Sequence, residues 1–158
     1  MLRYCCSASV LSVFVVALLM GATPSAAQNA RSTVEVTLDV EELESGSLLD
    51  LFAAFRDTEG AIRFMLESDA EMVPVRLQTA VMRDGDVIGR SVRAPMPYFP
   101  GEMMMCPEAW DFISVLHQVS SDDGQLPPGQ YDVRFSVLSA NERPLGDPGR
   151  FQFSVPER

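Results

Sequence analysis

The chain has 158 residues, 22 of them acidic and 12 basic, for a formal net charge of −10, and every basic residue is arginine. A field of that sign repels phosphate polymers and anionic lipid surfaces, and with no lysine and no basic run the composition excludes nucleic-acid binding. Hydrophobic residues make up 47 % of the chain, enough to build the core of one domain.

In chain order, Arg3 precedes an apolar run from Val10 to Met20, and Gly21-Ala22-Thr23-Pro24-Ser25-Ala26-Ala27-Gln28 follows. A basic start, a short apolar stretch and small residues at Ser25 and Ala27 are the pattern of a cleaved secretory signal, so residues 1–27 are expected to be removed. The run is too short for the roughly 20 apolar residues of a membrane span, and no comparable stretch follows. Cys5 and Cys6 precede it, which leaves no lipid-attachment cysteine at the cleavage point. The expected product is a single domain over residues 28–158, secreted or periplasmic, with no membrane span. Cleavage would remove one arginine and no acid, and would leave Cys106 as the lone thiol, so packing must hold the fold without an internal disulfide.

Residues 33–40 alternate strictly, with Val34, Val36, Leu38 and Val40 on one face, and predict a strand half buried and half in water. Leu48, Leu49, Phe52 and Phe55 recur at helical spacing behind Ser47, and Ser47 with Asp50 resembles a short capping box. Alternation returns at residues 62–66 and again at 73–81, where Pro74 predicts that the strand starts at a sheet edge because it cannot donate to the ladder. Asp84-Gly85-Asp86 predicts a tight hairpin into residues 87–93.

Residues 94–107 contain Pro95, Pro97, Pro100, Gly101 and Pro107 and predict an irregular connection. A short helix is predicted from Pro107, with Ala109, Phe112, Ile113 and Leu116 on one face and Glu108 and Asp111 near its positive end. Residues 131–137 form the clearest strand, with Tyr131, Val133, Phe135 and Val137 inward, and Phe151, Phe153 and Val155 predict its antiparallel partner. Six or seven short strands without regular strand-helix alternation predict a mainly β fold, an antiparallel immunoglobulin-like β-sandwich with one or two short helices.

Several features recur in a familiar order: Gly46-Ser47-Leu48-Leu49-Asp50-Leu51, the hairpin at Asp84-Gly85, Pro95 to Phe99 with Pro100-Gly101-Glu102, the aromatic segment Trp110-Asp111-Phe112, and Leu126-Pro127-Pro128-Gly129-Gln130-Tyr131 opening a terminal hairpin. In that order the chain resembles the TANFOR-type domain of large exported bacterial surface proteins. The resemblance covers nearly all of residues 28–158 and implies an exported β-rich module without assigned catalysis. It transfers no functional residue.

The sharpest chemical candidate is Met103-Met104-Met105-Cys106, because thioether and thiolate sulfurs select Cu(I). His117 is excluded from such a site: the eleven residues from Pro107 to His117, if helical, put it about 16 Å from Cys106. The alternative is that Met103, Met104 and Met105 fill irregular gaps in the core. The same separation removes a Cys-His dyad. The acidic pairs Glu41-Glu42, Asp84 with Asp86, and Asp122-Asp123 fall in polar loops or at a strand end and read as solvated charge. Nucleophile elbows, phosphate loops, dinucleotide fingerprints and zinc-ligand clusters do not occur in the sequence. The resulting expectation is a non-catalytic exported module without a cofactor, acting through a protein partner in the cell envelope or as a structural component. Soft-metal binding at residues 103–106 is the alternative.

Overall fold

Eight strands pair into two antiparallel sheets in a computed structural model that describes residues 29–38, 40–56, 62–105 and 111–157. One sheet orders β1 (Arg31–Val36), β2 (Ile62–Glu67) and β6 (Gly101–Met105) as β1-β2-β6. The other contains β3 (Val73–Arg83), β4 (Asp86–Val92), β5 (Met96–Tyr98), β7 (Gly129–Ser139) and β8 (Gly149–Val155). Its order is β4-β3-β7-β8, with β5 paired to β3 beyond the end of the β4 ladder. In this arrangement β1, β2 and β6 occupy the places of strands A, B and E, and β4, β3, β7 and β8 those of C′, C, F and G, in an immunoglobulin-type sandwich. Among the described residues two helices accompany the sheets, α1 (Leu48–Arg56) and α2 (Phe112–Val119).

The period-two pattern decides which faces meet. Ile62, Phe64 and Leu66 of β2, Val73, Val75, Leu77 and Val81 of β3, and Tyr131, Val133, Phe135 and Val137 of β7 are all buried in one core with Phe151, Phe153 and Val155 of β8. Helix α2 adds Phe112, Val115 and Leu116 to that core. The Asp84-Gly85 link between β3 and β4 has φ of 52° and 93°, the double positive φ of a type I′ turn, whose twist suits a two-residue hairpin.

Tyr131 stands at the start of β7, 1 % exposed, and its hydroxyl donates to the Pro127 carbonyl oxygen at 2.7 Å. A tyrosine at the entry to strand F that bonds its own upstream backbone is the tyrosine corner of such sandwiches, and here it pins the Pro127-Pro128-Gly129 bend onto the sheet. Burial raises the phenol pKa, so the hydroxyl remains a donor throughout the physiological range. Tyr131→Phe leaves the ring stacked on Phe153 (centroids 4.9 Å apart) but orphans the carbonyl. The expected loss is about 1–2 kcal/mol, read as a lower urea midpoint at unchanged m-value.

Several expectations need correction. The stretch expected as an irregular connection over residues 94–107 carries β5 and β6 within residues 96–105, and residues 106–107 lie outside the described residues. Proline is compatible with both the short edge strand and the central one where no N–H is required: Pro97 faces Pro74 in the ladder, and two facing prolines can occupy only a non-hydrogen-bonded position. The expected edge start of β3 holds: its ladder with β7 begins only at Val75, so Pro74 is paired on one side alone, by β5. The first strand covers 31–36 rather than 33–40, since its pairing ends at Val36↔Ile62, while Leu38 and Val40 pack on the core without a ladder. The capping box at Ser47 is replaced by a relay: Ser45 Oγ accepts the Ser47 N–H at 3.0 Å and donates to the Asp50 carboxylate, and Ser47 Oγ accepts the Leu49 N–H at 3.2 Å.

Candidate functional site

Of the two acids predicted near the start of α2, Asp111 serves its attachment, and Glu108 lies outside the described residues. Asp111 is the N-cap residue, at φ 54°, with no side-chain bond to its own helix. Its carboxylate instead takes a fork from Arg93, Nε to Oδ2 and Nη2 to Oδ1 at 2.7 Å each, and Ser91 Oγ lies 3.4 Å from Oδ2. Arg93 also donates its backbone N–H to Leu77 O at 2.9 Å, so the pair ties the helix start to the end of β4. The Arg93 hydrogen bonds lower the Asp111 pKa against the opposing effect of burial. A carboxyl held below its ordinary 3.8 stabilises the fold above that pH and loses the contribution as pH falls through the folded value. Asp111→Asn is therefore expected to cost about 1 kcal/mol at pH 7, the upper range for a partly hydrated pair, and to flatten the decline of stability below pH 4. Urea midpoints measured from pH 7 to 3 check this.

The other acidic pairs are separate. The Asp84 carboxylate accepts the Gln130 N–H at 2.8 Å, while its own N–H donates to Gln130 O at 2.8 Å, clasping the β3–β4 turn to the start of β7. Glu41 and Leu43 bracket Ser154 with backbone bonds of 3.0 and 2.8 Å and so cover part of the β8 edge. Asp123 accepts from Ser121 Oγ within its own loop. His117 is exposed near the end of α2. Met103, Met104 and Met105 lie on the backbone of β6, opposite Phe64, Arg63 and Ile62, so successive positions alternate between the two faces of that sheet. Their side chains and Cys106, like residues 1–27, lie outside the described residues.

A different constellation emerges on the outer face of the five-stranded sheet, the side away from the core. Directly paired residues share a face, and Arg90 of β4 is opposite Ala80 of β3, which is opposite Arg134 of β7, which is opposite Arg150 of β8. Three arginines thus form one row across the strands. At about 4.8 Å per strand the row extends roughly 14 Å. Arg76, opposite Leu138, is a fourth arginine on this face and lies 3.8 Å from Glu142. The one acid on these outward ladder positions is Asp132, which is 9 % exposed. Its Oδ2 accepts both Nε and Nη2 of Arg134, at 3.0 and 2.8 Å, while Oδ1 has no hydrogen-bond partner among the described residues.

Beside the row, Val87 and Val92 of β4 are 48 % and 42 % exposed. They flank Arg90 on the same outward side, because their partners are Met82 and Gln78. Sequence reading missed this surface. The available signal was the outward position of Arg134 within the strongest alternating segment. By contrast, a recess of about 790 Å³ at the end of the smaller sheet is open and lined by Arg31, Glu67, Asp69 and Gly101 among others.

No protein-family model and no curated protein matches the chain. Among solved structures it is similar to a β-glucuronidase from glycoside hydrolase family 2, at 13 % identity and a TM-score of 0.35, over 80 % of this chain and 11 % of that one. The chain therefore spans about a tenth of that protein's length. Among the described residues, no helix is long and apolar enough to cross a membrane.

Proposed function

We propose that this chain is an exported, non-catalytic β-sandwich module of a bacterial cell envelope that works by binding a protein partner. The observation that carries the reading is the outer face of the five-stranded sheet, where Val87 and Val92 stand exposed beside a row of arginines. A flat face of mixed apolar and charged side chains is suited to a protein contact, in which apolar area supplies affinity and charge sets register. Export rests on the basic, apolar and small-residue pattern of residues 1–27. The resemblance to TANFOR-type domains points the same way.

The test places a photo-crosslinking amino acid at Val92 in the full chain, expressed in a bacterial host, with a second probe at Leu49, which is 78 % exposed on α1. The exported product is expected to begin at Gln28, and the Val92 probe, not the Leu49 probe, is expected to trap one protein of the envelope fraction. Equal trapping from both positions, or none from Val92, would overturn the binding reading.

A further inference from the structure

We infer that the outer face of the five-stranded sheet docks an acidic polypeptide segment, one in which carboxylates alternate with apolar side chains. The inference rests on the binding reading above and names the chemistry of the partner.

Charge segregation carries it. In a chain with 22 acids and 12 arginines, the outward ladder positions of this sheet hold four arginines and a single acid. That acid does not cancel the row. Asp132 is buried and engaged with Arg134, which neutralises the central arginine and relieves its repulsion with the directly opposed Arg150. Arg90 and Arg150 are exposed, and neither has an ion-pair partner among the described residues. Two uncompensated arginines on backbone positions about 14 Å apart, with a held one between them, form a positive strip on an otherwise negative molecule. Guanidinium forks match carboxylates in a bidentate geometry.

The apolar neighbours decide between polymers. Val87 and Val92 sit either side of Arg90 on the same face, where an anionic polysaccharide would leave them in water and a polypeptide could cover them. A phosphate polymer, like the polysaccharide, has no apolar side chains to cover Val87 and Val92.

The probe is a short fluorescein-labelled peptide of alternating glutamate and valine, titrated with the full chain and followed by anisotropy, with an alternating lysine-valine peptide and labelled polygalacturonate as comparisons. Binding of the glutamate peptide is expected, weakening as salt rises. Arg90→Glu combined with Arg150→Glu should lower its affinity by about tenfold or more. The neutral pair Arg90→Gln with Arg150→Gln should give a smaller loss and covers the case in which charge reversal disturbs folding. Arg31→Glu, on the other sheet, should leave the affinity unchanged.

Equal losses from Arg31→Glu, no binding of the glutamate peptide, or equal binding of the lysine peptide would overturn the inference. So would polygalacturonate binding as tightly through the same two arginines. Site-specific trapping from Val92 with no binding of the glutamate peptide would remove the acidic partner and leave the binding module standing. Failure of both removes the two together.

Discussion

Phe112→Ala is expected to lower unfolding free energy by about 4 kcal/mol, the upper range for truncating a buried phenylalanine. Phe112 is fully buried and is the residue through which α2 enters the sheet core. Its ring meets Phe135 and Phe151 edge-on, each at 6.1 Å, with interplanar angles of 85° and 86°. Those two rings are themselves stacked at 6.0 Å, and Phe151 continues to Phe153 at 5.9 Å and on to Tyr131. Removing Phe112 therefore opens a cavity at the end of a continuous aromatic column. The cavity cannot collapse easily, because its far wall is β7 and β8, held to each other by a continuous ladder.

Against a total stability of about 5–15 kcal/mol for a domain of this kind, the loss is a large fraction. Urea unfolding should show a lower midpoint at unchanged m-value, with Phe112→Leu costing less than half as much. A double-mutant cycle with Phe135→Leu should return a coupling of about 0.5–1.5 kcal/mol for the edge-on pair. A loss below 1 kcal/mol for Phe112→Ala would mean that α2 rests on the sheet without belonging to its core.

The inward half of the sandwich was legible because burial writes itself into sequence as alternation. Residues 62–66, 73–81, 131–137 and 151–155 each carry the period of two, and each is a strand. The Asp84-Gly85 hairpin was legible through its turn chemistry. Two kinds of feature escaped. The strands β5 and β6 were hidden because proline normally argues against pairing, and only the facing of Pro74 and Pro97 shows how the ladder avoids needing their N–H groups.

The arginine row escaped for a stronger reason. Arg90, Arg134 and Arg150 come from three strands, and what aligns them is register, which no single strand encodes. A shift of one residue in β4 would turn Arg90 toward the core and Gly89 outward. The extra residue at the bulge, where Val81 pairs with Gly89 and Met82 with Val87, is part of that register.

The second large effect concerns the join between the two sheets along β1. Ser32 donates its N–H to Leu145 O at 3.0 Å, which brings β1 against the loop leading into β8. That approach is possible because residue 146 has no side chain: a Cβ on Gly146 would overlap the Ser32 carbonyl oxygen, a backbone atom that no rotamer change can move aside. Gly149 is under the same constraint, with a Cβ there falling 2.6 Å from Val34 Cγ1 and 2.9 Å from Val34 O. Gly146→Ala is therefore expected to displace β1 from the loop, lose the Ser32 bond and cost about 3 kcal/mol, at the upper end of overpacking.

The damage should be local in kind. The pairing of β1 with β2 lies on its other side and runs from Arg31↔Glu67 to Val36↔Ile62, so the smaller sheet can stay paired while its seam with the larger one opens. Hydrogen exchange separates the two outcomes. The Ser32 amide should lose protection in Gly146→Ala well before the amides of β3 and β7 do, since local opening costs less than global unfolding. If protection falls uniformly across both sheets, the contact at Gly146 is part of the global unit, and β1 is held by the whole core and not by this one seam.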